Sequence, residues 1–322
     1  MEPDGTLRGR RGNSATPSDR GLTKLALRSW DAPAPDPGHP AGDPQADDLP
    51  LDSHLHTDQS PDSTVPIDAY AAEALARRIP EIAITDHVDF DPRDPAYRYT
   101  AFADRERTVR DAADRWGPKG VTIRFGVELT YHERWEAEAR DHLTRHRYDY
   151  VIGSVHEWPD SPYVRSHVAG WVAGRTLAEI VAPYYDQVVA AVRSGLFDTL
   201  GHLDVVKRYL YPHVTPAQLG ERPELLEPAL RALADSGVAL EVNSSGLRHL
   251  VAEPYPAEST VVRFRELGGE RVVAGSDAHR SDWFAWRLDE AYRIIEAAGF
   301  DALAFRRGAD RVRISIPTRR AA

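Results

Sequence analysis

Short apolar runs rich in Val, Ile, Leu and Phe alternate along the chain with longer stretches in which apolar residues recur every three to four positions. The short runs span 49–56, 81–87, 121–129, 148–156, 197–204, 237–243 and 271–277. Their length and near-continuous apolar character suit strands buried on both faces. The stretches 67–78, 224–237 and 259–268, rich in Ala, Glu and Arg, carry apolar residues at helical spacing. Such alternation predicts a parallel sheet with crossover helices. Seven units within about 270 residues crowd a small open sheet and fit a closed α/β barrel of the (β/α)7 type. A doubly wound open sheet is the alternative.

Residues 1–48 break from this pattern. The stretch 31–50 holds six prolines and no apolar periodicity, the composition of a disordered tail. The reading is a tail over 1–48 and one domain over 49–322. No apolar run approaches the length of a membrane span, and the first 31 residues lack the apolar segment of a secretory signal. With 40 basic and 50 acidic residues the net charge is −10, which argues against broad capture of nucleic acid. Cysteine is absent. That removes disulfides, thiolate metal sites and thiol nucleophiles together, leaves any metal to nitrogen and oxygen ligands, and points to the cytoplasm.

The predicted strands share a property that composition does not explain. Each ends on or just past residues able to bind metal or polar groups: His54 and His56, Asp86 and His87, Glu128, His156, His202 and Asp204, Asn243, then Asp277 and His279. In a parallel barrel all carboxyl ends of strands open on one face, where active sites are built. Six of the thirteen histidines therefore converge on one rim. Strand alternation turns His54 and His56 to the same side, and Asp277 and His279 are expected to repeat that arrangement on the strand that closes the barrel. Singly these signals are weak. An isolated HxH pair is more often structural, and Asp86-His87 alone reads as a capping or core pair. Together, six buried imidazoles and several carboxylates have no inexpensive structural explanation, whereas ligation of several metal ions satisfies them. His132, His142 and His146 read as solvated helix-face residues, His39 falls in the tail, His213 in a turn, and His167 is ambiguous.

The segments DSHLHTDQSPD (52–62), ITDH (84–87), GVEL (126–129), GSVH (153–156), GHLD (201–204) and GSDAH (275–279) together resemble the PHP (polymerase and histidinol phosphatase) family, in the family's order. The resemblance implies a distorted (β/α)7 TIM-like barrel with three divalent ions (zinc, iron or manganese) at the carboxyl face of its strands. It assigns His54, His56, Glu128 and Asp277 to one ion, Glu128 as a bridge with His156 and His202 to a second, and Asp62, His87 and His279 to a third. Position 62 is aspartate where many histidinol phosphatases carry histidine; other branches carry aspartate there. The stretch 241–256, EVNSSGLRHLVAEPYP, is similar to that of histidinol phosphatases, and the excursion 157–196 is reminiscent of the same branch, although a long crossover helix would explain it equally.

The resemblance thus implies hydrolysis of L-histidinol phosphate in histidine biosynthesis, by in-line attack of a metal-bridging hydroxide on phosphorus. Glu128, His156, Asp277 and Arg248 are the expected catalytic groups. Arg248 is the first candidate for the phosphate contact, followed by Arg165 and Lys207, and Asn243 is a further substrate-binding candidate. His249 is a candidate for the substrate imidazole. Asp86 and Asp204 are expected either to orient His87 or His202 or to cap helices. Another small phosphate ester, or a nucleotide or oligonucleotide end, is the alternative substrate. A metal-loaded barrel without catalysis is the remote one.

Overall fold

The apolar runs fold as strands, each shorter than the run that contains it. In the computed structural model, which describes residues 47–162 and 165–316, these are β1 (Asp52–Leu55), β2 (Glu81–Ile84), β3 (His87–Val88), β4 (Thr122–Thr130), β5 (Tyr150–Ser154), β6 (Thr199–Leu200), β7 (Ala239–Asn243) and β8 (Val272–Gly275). The tail expected over 1–48 lies outside the described residues except for its last two. All neighbouring strands are parallel, in the order β1-β2-β4-β5-β6-β7-β8. β3 continues the track of β2: Ile84 pairs with Phe125 and His87 with Glu128. Seven strand tracks result, as the alternation predicts.

β8 returns beside β1 and nearly closes the barrel. Leu55 bridges Ala278, and the His56 N–H donates to the Ala278 carbonyl at 2.9 Å. Side chains complete the seam, since Asp52 accepts the N–H and hydroxyl of Ser276 at 3.0 and 2.6 Å. The Tyr70 hydroxyl sits between the His56 and Ala278 carbonyls at 3.0 and 2.8 Å. The open-sheet alternative is therefore excluded.

Helices α1 (Ile67–Ala76), α2 (Phe102–Trp116), α3 (Glu136–Arg145), α4 (Val168–Val172), α5 (Leu177–Arg193), α6 (Val206–Leu210), α7 (Pro216–Gly220), α8 (Glu227–Ala234), α9 (Glu258–Glu266) and α10 (Leu288–Ala297) fill the connections. Several turn an apolar stripe to the barrel, as α10 does with Leu288, Ala291, Tyr292, Ile294 and Ile295. The excursion 157–196 contains α4 and α5, and α5 starts on a Thr176–Glu179 capping box. None of the described helices is long and apolar enough to cross a membrane.

One element is absent from the sequence reading. β9 (Ala302–Arg307) and β10 (Asp310–Ser315) form an antiparallel hairpin. It lies against the amino ends of the strands: Arg307 pairs with Glu81, Arg306 with Asp198, and Phe305 packs on Tyr150. The opposite, carboxyl end is left to the chemistry.

Candidate metal centre

Glu128 is the hub of that end. It sits near the end of β4 with 1% exposure, and its ion-pair partners among the described residues are imidazoles. Its Oε2 lies 2.8 Å from His87 Nδ1, 3.4 Å from His56 Nε2 and 3.5 Å from His54 Nε2. Its Oε1 lies 2.8 Å from His202 Nε2 and 3.4 Å from His156 Nε2. Asp277 Oδ1 approaches His56 Nε2 at 3.4 Å and His54 Nε2 at 3.8 Å. Asp62 Oδ2 lies 2.8 Å from His279 Nε2 and 3.2 Å from His87 Nε2. All nine residues of the three implied ligand sets thus meet in one cluster, and Glu128 touches members of each.

β1 alternation turns His54 and His56 inward together, as expected. Asp277 and His279 arrive differently. β8 ends at Gly275, so both lie in the loop beyond it, and Asp277 is aimed by a left-handed backbone, φ 52°. His202, past the end of β6, is left-handed too at φ 22°. Conformations sparse for side-chain-bearing residues persist where the surroundings hold them.

The electrostatics suit a cation site. Burial opposes ionisation of Glu128 and Asp277, yet the surrounding imidazoles hold both carboxyls well below the usual range. Burial also opposes the charge on His54, His87, His202 and His279, but the carboxylates outweigh it and raise all four. Burial and neighbouring imidazoles leave His56 depressed, and burial depresses His156. His54 Nε2, His56 Nε2 and Glu128 Oε2 are buried without a hydrogen-bond partner. Orphaned imidazole and carboxylate donors facing a shared space fit divalent ions, and the nitrogen–oxygen set suits zinc, iron or manganese.

Several of the expected site residues have other partners in the structure. Lys207 does not reach for a phosphate: it is buried, paired with Asp204 at 2.9 Å and with Glu253, and capped by the Pro254 carbonyl. Asp204 is accordingly the partner of Lys207 rather than the orienter of His202 or a helix cap. Asp86 takes the Thr57 N–H and hydroxyl at 2.6 and 2.9 Å and the Ser60 hydroxyl at 3.0 Å. It shapes the loop after β1 instead of His87. Asn243 spends its amide N–H on Glu241 at 3.1 Å, with Asp277 at 3.5 Å, and its oxygen accepts the Ser245 N–H. It braces the site between Glu241 and Ser245. His142 and His146 are not free on a solvated face: the first meets the Tyr148 hydroxyl at 2.9 Å and the second stacks on Phe102. His132 caps the turn that begins at Glu133. His249 is held by the Tyr255 hydroxyl at 3.0 Å.

Arg248 stands at the wall of the site. It donates to the Ser276 and Asp277 carbonyls at 3.0 Å each and lies over Trp283. Burial lowers its pKa to about 10. Of Arg165 the backbone is described, in a short 3-10 turn, but not the side chain. Arg208, half-buried on α6, acts electrostatically on Arg248 and His249, and the sequence reading passed over it. So it did Arg105, a buried guanidinium that donates to the Asp86 and His87 carbonyls at 3.1 and 2.9 Å and fixes the ITDH turn. A third omission is Glu241 of β7, fully buried, with Oε1 2.7 Å from His54 Nδ1 and Oε2 accepting the His202 N–H at 2.8 Å.

Glu241 also explains a motif glycine. A Cβ on Gly275 would stand against the Glu241 carboxylate and 2.6 Å from His54 Cβ. Gly275→Ala is expected to lose about 1–3 kcal/mol of stability by overpacking, measured by urea unfolding of the metal-free protein.

A parallel barrel that gathers buried imidazoles and carboxylates at its carboxyl end defines a metal-dependent hydrolase. Residues 52–245 match the PHP domain. A Deinococcus radiodurans protein named "Probable histidinol-phosphatase" is 32% identical over 263 residues, covering 79% of this chain and 96% of its own length. The chain belongs to the PHP family. Histidinol-phosphatase of Lactococcus lactis is 28% identical over 264 residues, covering 79% of this chain and 93% of its own length. The crystal structure of histidinol phosphate phosphatase from Lactococcus lactis, complexed with zinc, L-histidinol and phosphate, is similar with a TM-score of 0.68 and 25% identity, over 81% of this chain and 98% of that one.

Proposed function

We propose that the chain is a histidinol-phosphatase that converts L-histidinol phosphate and water to L-histidinol and phosphate with three divalent ions, zinc foremost and iron or manganese as the alternatives. The observation that carries the reading is the orphaned donor set around Glu128, in a chain that covers nearly all of a relative solved with zinc, L-histidinol and phosphate. His54, His56, Glu128 and Asp277 would hold one ion, Glu128, His156 and His202 a second, and Asp62, His87 and His279 a third. Divalent ions, when bound, activate water for attack on phosphorus and neutralise phosphate oxygens.

The chain's own residues then divide the substrate between them. Arg248 and Arg208 put positive charge on the Asp277 side of the cluster, suited to a phosphate oxygen. Arg165 remains a candidate for the same task. On the His156 side stand Asp89 and Glu157. Burial raises their carboxyls to about 7 and about 8, aided by neighbouring aspartates. A substrate ammonium would neutralise them there, which an aryl phosphate does not offer. The domain over 49–322 would be the phosphoesterase unit, and a step of amino-acid biosynthesis would place it in the cytoplasm.

The test is phosphate release by zinc-loaded protein from histidinol phosphate, an aryl phosphate, a mononucleotide and a short oligonucleotide, with His54→Ala as control. Histidinol phosphate should lead in kcat/KM by about 100-fold or more, the discrimination a polar pocket can deliver, and His54→Ala should be inactive. Comparable turnover of the other esters would keep the hydrolase and remove histidinol phosphate as its substrate.

A further inference from the structure

We infer that Glu241 is a positioning residue that sets two metal donors at once, the ring of His54 and the backbone carrying His202. The inference rests on the metal reading above and adds to it a residue outside the three ligand sets.

A carboxylate accepts hydrogen bonds and donates none when ionised. Glu241 Oε1, 2.7 Å from His54 Nδ1, therefore draws the imidazole proton to Nδ1. The lone pair is left on Nε2, the atom that faces Glu128 Oε2 and Asp277 Oδ1 and lacks a hydrogen-bond partner. The second oxygen accepts the N–H of His202 at 2.8 Å. That residue has the left-handed φ of 22° and presents Nε2 to the other oxygen of Glu128. One side chain thus fixes donors on both sides of the bridging carboxylate. Asn243 donates to the same oxygen at 3.1 Å and holds the carboxylate in place.

The surroundings are built for it. Gly275 leaves room for Oε1, and a Cβ on Gly201 would lie 3.5 Å from Oε2 while meeting Ser154 and Ile152 more closely. A fully buried carboxylate in a barrel interior is costly unless it is used. Carboxylates that orient ligating imidazoles typically contribute 10–100-fold to metal affinity or activity.

Glu241→Gln separates this role from a structural one. Glutamine keeps the shape but presents one acceptor oxygen in place of two, so it can accept from His54 Nδ1–H or from the His202 N–H, not both, and an amide N–H turned to His54 Nδ1 would drive the imidazole proton to Nε2. Zinc titrated against a chromophoric chelator should bind about 10–100-fold more weakly at one or more sites of the variant. The kcat of the variant should fall while KM stays within about twofold, because Glu241 does not touch substrate. The melting temperature of the metal-free variant controls for folding.

Should the variant fail to fold, the wild type answers alone. In zinc-loaded protein with ¹⁵N-labelled histidine, His54 should carry its proton on Nδ1 and the metal on Nε2. Unchanged zinc affinity in Glu241→Gln, or His54 ligating through Nδ1, would overturn the inference. Failure of the wild type to bind zinc at all would instead remove the metal reading beneath it.

Discussion

Glu128→Gln is expected to lower kcat/KM by about 10³-fold or more, since even one transition-state donor commonly contributes 10²–10³, and to leave the protein short of metal. Both carboxylate oxygens are in use. One faces His54, His56 and His87, the other His156 and His202. Glutamine retains one acceptor, removes the charge, and places an amide where a second ligand oxygen is needed. Under the proposed ligand sets, the ions that would share this residue would be lost together, which separates it from a ligand that would serve one ion. Substitution of His279, at the edge of the cluster with 20% side-chain exposure, should remove a smaller part of the metal. Elemental analysis after gel filtration, with steady-state phosphate release on the same samples, measures both quantities. A Glu128→Gln protein with its full metal content and near-normal kcat would refute the bridging role.

The barrel and eight of the nine clustered residues were legible because both rest on local pattern; Asp62 was reached only through the family resemblance. A strand buried on two faces must be apolar along its length, so a polar residue at its carboxyl end stands out. His54 and His56 share a face through strand alternation alone. The positions of Asp277 and His279 were legible but their geometry was not, since a left-handed residue beyond the strand end, φ 52°, leaves no mark in an apolar pattern. Glu241 was hidden for the opposite reason. It sits inside an apolar strand like an ordinary alternation, and its partner His54 is 187 positions away in the chain. The charge–charge pairing of Asp204 with Lys207 was readable, because residues three apart at a helix start are neighbours. Weighing that spacing would have withdrawn Lys207 from the phosphate. The β9–β10 hairpin was missed because its strands carry four arginines. Arg306 and Arg307 pair with carboxylates at the amino ends of distant strands, a tertiary arrangement that overrides local polarity.

Metal should stabilise the protein more at pH 8.5 than at pH 6.0. In the metal-free fold the carboxylates raise His54, His87, His202 and His279 above the ordinary histidine value of 6.5. A group raised on folding contributes stability that is complete below its unfolded value and is lost as pH climbs through its folded one. Protons thus stand in for metal at low pH, and their loss leaves Glu128 and Asp277 facing neutral rings. His56 and His156, depressed on folding, work in the other direction, but they are two against four. Ligation needs deprotonated imidazoles, so zinc displaces protons and binds more tightly as pH rises. Both effects have the same sign. If two protons leave per binding event, affinity gains about 100-fold per pH unit, roughly 2.7 kcal/mol. For a domain of this size that corresponds to a rise on the order of 5–10 °C in melting temperature. Scanning calorimetry of chelator-treated and zinc-reloaded protein at the two pH values measures the increment. Zinc titrations in buffers of different ionisation enthalpy count the protons released. An increment that shrinks with pH, or zinc binding without proton release, would mean that the imidazoles of this cluster do not take up the metal.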